Sequence, residues 1–206
     1  MKKFLTRIPL QAAGNLKRMN YVAMDNEKLQ MEEAVSFPIL TAINGYVQDG
    51  EAFEVLAVVA DSEAEEHNYQ VLCEQIEELF GKKKGKVTMK KITIQPSQGL
   101  SEQVDSFQKL IDHVEDDDEV FVCMTFGTKP QSRVMMMAAQ YAYRVKNNVT
   151  VECVLYGEID RSQSVQDPVA RVYDLTGLVQ LDEITRILGE RKVRNPERII
   201  RNVLAL

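Results

Sequence analysis

Tryptophan is absent from the 206-residue chain, histidine occurs only twice and cysteine three times. Cys73, Cys123 and Cys153 each sit in an apolar segment and no CxxC pair occurs, so neither a zinc site nor a redox pair is encoded, and buried, reduced thiols are expected. His67 and His113 lie in charged helical stretches, and no serine or cysteine stands in a GxSxG elbow. A hydrolase triad therefore has no parts to be built from. Glycine-rich phosphate loops are missing too: neither GxGxxG nor GxxxxGK followed by Ser or Thr is present, which removes the dinucleotide fingerprint and the P-loop. No apolar run approaches the roughly 20 residues of a membrane helix. The start, Met1-Lys2-Lys3, leads to Arg7 and Pro9 instead of a signal core. The expectation is a cytoplasmic chain with no membrane partner, no cofactor and no metal.

What is present is an ordinary globular composition, 45% hydrophobic and 27% charged, with enough length to bury a full core. The net charge of -6 argues against long nucleic acid held over a broad surface, while leaving room for a small anion in a local pocket. The acidic run Glu115 to Glu119 and the basic run Lys82 to Lys86 read as solvated turns, and Met135-Met136-Met137 as packing on a sheet or an interface.

Strands and helices alternate along the chain. Strands are predicted over Phe4 to Leu10, Phe53 to Ala60, Lys86 to Gln95, Glu119 to Thr125, Thr150 to Tyr156 and Ala170 to Tyr173. Helices are predicted over Glu32 to Val47, from Asp61-Ser62 through Phe80, and over Ser101 to Val114, Pro130 to Lys146, Asp182 to Leu188 and Pro196 to Leu204. FEVLAVVA at Phe53 to Ala60 is apolar at nearly every position, as a strand covered on both faces must be. Parallel neighbours need a helical crossover, so this period predicts an α/β fold, a doubly wound, mainly parallel Rossmann-like sheet with helices on both faces. One such domain fills residues 1–190, and the amphipathic stretch 191–206 reads as a C-terminal helix, a linker toward an effector domain.

Ligands of such sheets sit beyond the carboxyl ends of the strands. That rule selects the loops Gln11 to Asn15, Asp61-Ser62, Gln95 to Gly99, Thr125 to Lys129 and Tyr156 to Asp160. TFGTK, Thr125 to Lys129, is the richest. Gly127 permits close backbone approach, Thr125 and Thr128 offer hydroxyls, Lys129 adds a cation, and a helix with Pro130 in its first turn points its positive end at the same place. These parts suit a phosphate; a tight connection with a capping threonine and a solvated lysine is the alternative.

TFGTK followed by MMMAAQYA resembles the second signature of CARF domains, the CRISPR-associated Rossmann folds that sense cyclic oligoadenylates. Thr125, Gly127, Thr128 and Lys129 stand in register with that signature, whereas Cys123 replaces its usual acidic or amide residue and Phe126 its usual Gly or His. VECVLYGEID (Val151 to Asp160) and RVYDLTGLVQLDEITRIL (Arg171 to Leu188) extend the similarity over nearly the whole chain. The resemblance implies a homodimer binding a cyclic oligoadenylate, cyclic tetra-adenylate by expectation, across two symmetric crevices. The implied ligand-binding residues are Gly14, Asn15, Gln95, Ser97, Gly99, Thr125, Phe126, Gly127, Thr128, Lys129, Tyr156 and Gly157, and the seam is expected on the helix Pro130 to Lys146. A sensor domain of a type III CRISPR response is the first reading. A stand-alone ring nuclease using the ribose 2'-hydroxyl, without metal, is the second, and an unrelated Rossmann-like nucleotide-binding module the third. No catalytic residue is assigned, and the effector signature of Arg, four residues, then His is absent, because neither histidine has Arg five positions before it.

Overall fold

A computed structural model describes residues 1–82, 84–160 and 168–204. Its seven strands are β1 (Lys2–Arg7), β2 (Tyr21–Ala23), β3 (Phe53–Ala60), β4 (Val87–Ile94), β5 (Glu119–Cys123), β6 (Thr150–Asp160) and β7 (Val169–Asp174). They form one sheet in the order β2-β7-β6-β5-β1-β3-β4. The five strands from β6 to β4 are mutually parallel, and only the β6–β7 pairing is antiparallel. The β6–β7 link is too short for a helical crossover, so the chain can only return as a hairpin. Lys83 of the basic run and residues 161–167 and 205–206 lie outside the described residues.

The α-helices are α1 (Ile39–Tyr46), α2 (Glu63–Phe80), α3 (Leu100–Ile111), α4 (Lys129–Val145), α5 (Thr176–Glu190) and α6 (Pro196–Leu204). Side-chain alternation on the strands divides the core in two. Phe53, Val55, Ala57 and Val59 of β3 pack with Leu40 and Ile43 of α1 and Leu72, Ile76 and Phe80 of α2. Leu56, Val58 and Ala60 face the opposite layer, with Leu110 of α3, Val134, Met135, Ala138 and Ala139 of α4 and Val179 of α5. All eight β3 residues are buried, as a central strand covered on both faces requires. The sheet is thus open, mostly parallel and flanked by helices on both faces, consistent with a Rossmann-like fold. No helix among the described residues is long and apolar enough to cross a membrane.

Several predicted boundaries move for identifiable reasons. The helix expected from Glu32 begins only at Ile39, because Pro38 occupies its N-cap; the preceding residues form bends, and Val35 pairs with Met19 in an isolated bridge. β2 is three residues long and carries no readable alternation. α5 starts six residues before Asp182, at Thr176, next to Asp174, whose carboxylate accepts from the Thr176 amide at 2.8 Å. Ser62 caps α2 as expected, accepting from the Glu65 amide at 3.3 Å.

Candidate functional site

β1 lies between β3 and β5, so the chain winds outward from it in both directions and its carboxyl end is the point at which the winding reverses. Two loops meet there: residues 8–15 after β1 and 124–128 after β5. The first is held from below by Asn68 of α2, whose Nδ2 donates to the carbonyls of Pro9 and Gln11 at 2.9 and 2.8 Å. The second contains Gly127 at φ +98, a left-handed conformation that side chains disfavour. A Cβ there would also stand 2.8 Å from Arg7 Cγ and 3.1 Å from Gln131 Oε1. Gly127 is therefore required twice, by its backbone angle and by the side chain beneath it.

That side chain is the floor of the turn. Arg7, the last residue of β1, is 1% exposed, and each guanidinium nitrogen has a partner. Its Nε donates to Gln131 Oε1 at 3.0 Å, and one terminal nitrogen reaches the carbonyls of Ile8 and Val58. Both terminal nitrogens pair with the Glu65 carboxylate, one of them at 2.6 Å. Glu65 accepts in addition from the Ala60 amide at 2.5 Å. Gln131, in the first turn of α4, receives the Thr128 amide at 3.3 Å on the same oxygen that binds Arg7. The turn is thereby tied to the ends of β1 and β3 and to the start of α2. Such a bidentate, fully hydrogen-bonded pair is the form in which a buried arginine is tolerated.

Around this floor the predicted residues fall into groups. Thr125, Phe126 and Gly127 line an open cleft of about 380 Å³ with Pro9, Leu10 and Gln11. Phe126 is also a wall of a smaller cavity, about 90 Å³, shared with Gln11, Asn15, Lys17, Ser36 and Ile159. Its ring meets Phe37 edge-on at 6.1 Å. Gly14, at φ +81 with open space about it, sits in the exposed turn that the Asn15 amide closes onto Ala12 at 3.1 Å. The Thr125 hydroxyl is engaged within the fold: it accepts from the Gly157 amide at 2.7 Å and contacts Cys123 Sγ at 3.2 Å. Gly157 lies against Pro38, where a Cβ would come within 2.4 Å of the ring.

The loop after β4 joins through Gln98, whose Oε1 accepts the Thr128 hydroxyl at 2.6 Å. Gln95, Ser97 and Gly99 are exposed in that loop, and Ser97 Oγ accepts from the Gly99 amide at 3.1 Å. They lie outside the cleft lining. Tyr156 is separated from the cleft altogether, because the alternation of β6 turns it to the opposite face from Gly157.

Electrostatically the exposed side of the turn is cationic. Lys129 and Arg133, one turn apart at the start of α4, are both exposed and form no ion pair among the described residues. The helix dipole adds positive potential at the same end. Burial raises the Cys123 thiol above its ordinary value, and burial with the nearby Asp174 carboxylate pushes Cys153 up to about 12. Neither supplies a thiolate at neutral pH. Among the described residues no cluster of histidine, cysteine and carboxylate side chains could hold a metal ion. The arrangement can bind an anion near Lys129 and present a flat apolar wall, Phe126, beside it.

The residues that sequence reasoning missed are Arg7, Glu65, Gln131 and Asn68, the polar scaffold of the turn. Arg7 had one weak signal, a charge two residues past the apolar pair Phe4-Leu5 of a predicted strand. Glu65, Asn68 and Gln131 lie in polar helical stretches that conceal which face is buried. No family model matches the chain, and no curated protein matches it.

Proposed function

We propose that the chain is a cyclic oligoadenylate-binding sensor domain of the CARF type, in which two copies bind one ring, cyclic tetra-adenylate, across a homodimer. The observation that carries this reading is the exposed Lys129, two residues past the left-handed Gly127, at the reversal point of a Rossmann-like sheet. Lys129 and Arg133 would neutralise ring phosphates, assisted by the α4 terminus. Phe126 offers an apolar face beside the cleft for adenine. A ring of repeated nucleotides presents equal phosphates to two equal turns, so one turn per copy serves the whole ligand.

The test is titration of the purified chain with cyclic tetra-adenylate and cyclic hexa-adenylate by calorimetry, with mass spectrometry of the products. One intact tetra-adenylate ring bound per two chains supports the sensor. Linear products that disappear in Lys129→Ala support a ring nuclease instead. No binding of either ring removes both and leaves a Rossmann-like module of other specificity.

A further inference from the structure

The two edges of the sheet are unlike. β2 closes one edge with three residues, while β4 closes the other with eight and pairs with β3 without a bulge, from Val87 opposite Phe53 to Ile94 opposite Ala60. Natural sheets blunt such edges by shortening them, by placing a proline or a bulge there, or by laying a loop or helix over them. VTMKKITI has no proline and no strand beyond it. The carbonyls of Lys86 and Ile94 accept from the Phe53 and Asp61 amides at 3.2 and 3.1 Å, so the even-numbered residues turn their backbone groups toward β3. By the strand period of two, Val87, Met89, Lys91 and Thr93 turn theirs outward. Among the described residues one of these outward groups has a partner, the Thr93 carbonyl, which accepts from Lys109 Nζ at 3.1 Å. The rest form a row of alternating donors and acceptors, the form in which a sheet receives a further strand.

The side chains along that row differ between the two faces. Val87 and Met89 lie on the side of α1 and α2, partly buried against its core. Lys86, Thr88 and Lys90 lie on the other side, in line with Ile92 and Ile94, and both lysines are exposed. Neither forms an ion pair among the described residues, whereas Lys91 pairs with Glu66 at 2.8 Å and Lys109 with Asp105 at 2.7 Å. Uncompensated positive charge therefore gathers along one face of the open edge, in a chain whose net charge is -6. Lysine on an edge guards against self-pairing, because a second copy brought edge to edge would set these lysines against like charges. The same guard selects for a strand of opposite charge. A nucleic acid would answer the lysines only: its phosphates carry acceptors and no donors, which leaves the outward carbonyls unpaired.

We propose that β4 is a strand-addition site for an extended acidic segment of a partner protein, one in which carboxylate side chains alternate with apolar ones. The main chain of the segment pairs with Val87, Met89, Lys91 and Thr93. Its carboxylates face Lys86 and Lys90, and its apolar side chains cover Val87 and Met89. The site makes no use of the Lys129 turn, since β1 and β3 stand between β4 and β5.

Fluorescence anisotropy of the full chain with a labelled peptide of alternating valine and glutamate, about nine residues long, tests the site at about 50 mM salt, where surface charge is less screened. Binding is expected, and Lys90→Glu should raise the dissociation constant at least about tenfold, since like charges then oppose each other across the pair. Two further peptides carry N-methyl groups on one or the other alternate set of amides and keep every carboxylate. The one whose methylated amides face β4 should bind at least about tenfold more weakly, and the other should bind as the parent does. Met89→Pro removes an outward amide without breaking the ladder to β3, and should weaken binding with an unchanged circular dichroism spectrum. Absence of peptide binding would overturn the site. So would equal binding of the parent and both methylated peptides, which would mean attraction by charge alone. A thymidine oligonucleotide that binds more tightly than the peptide, and is lost in Lys90→Glu, would assign the lysines to nucleic acid and overturn it as well.

Discussion

At Gly127 two requirements coincide, a left-handed backbone angle and contact with Arg7. Gly127→Ala therefore meets strain and collision together, and is expected to cost about 1–3 kcal/mol in urea-induced unfolding. Loss of stability within experimental error of zero would show that Arg7 moves aside freely. Beneath it, Glu65→Ala leaves Arg7 charged, buried and without its carboxylate, which is expected to destabilise by about 3–5 kcal/mol. The double variant Arg7→Met with Glu65→Leu should be less damaging than Glu65→Ala, since an apolar pair leaves no uncompensated charge. Denaturant unfolding of the three proteins checks both the sign and the order. Lys129 belongs to the opposite class: exposed and without an ion pair among the described residues, it can be replaced with little effect on stability.

At the scale of elements, α4 links the turn to α5. Its last turns contact α5 through charge: Arg144 pairs with Asp182 at 2.6 Å and with Glu183 at 3.2 Å, and the Tyr143 hydroxyl donates to Glu183 at 3.0 Å. The Arg186 guanidinium above all, with Tyr143 and Arg144, holds the Glu183 carboxyl down at about 2 against an ordinary 4.5. A carboxyl lowered on folding stabilises the folded state above its ordinary value and ceases to do so as pH falls through the folded value. The stability difference between wild type and Glu183→Gln should thus be present at pH 7 and shrink between pH 4.5 and about 2. Urea titrations across that range measure it, and a difference independent of pH would mean that the carboxylate contributes by shape alone. The contribution is kept small by solvent screening at this partly exposed site.

For the whole molecule, the sequence-level pattern was sufficient for the layers and insufficient for the scaffold of the site. β3 appears over the predicted residues because every position but Glu54 is apolar, and α2, α3 and α4 follow within one to three residues because their amphipathic spacing is long. The site turn was legible for the same reason: TFGTK falls between a buried strand and an apolar helix, and Gly127 has no other role there. Three features were not legible. β2 is too short to show alternation, the reversal of β7 depends on a connection length and not on a propensity, and the Arg7–Glu65–Gln131 floor joins residues more than fifty positions apart whose local surroundings are unremarkable. Tyr156 and Gly157 show the limit most plainly: adjacent in the chain, they serve opposite faces of the sheet.

The central claim, an anion cradle at the start of α4, is tested most directly by calorimetric titration of Lys129→Glu with cyclic tetra-adenylate at about 150 mM salt, beside the wild type. The account predicts a dissociation constant raised at least about tenfold, the equivalent of about 1.4 kcal/mol, with unfolding stability unchanged. A Lys129→Glu protein that binds the ring as tightly as the wild type would contradict it.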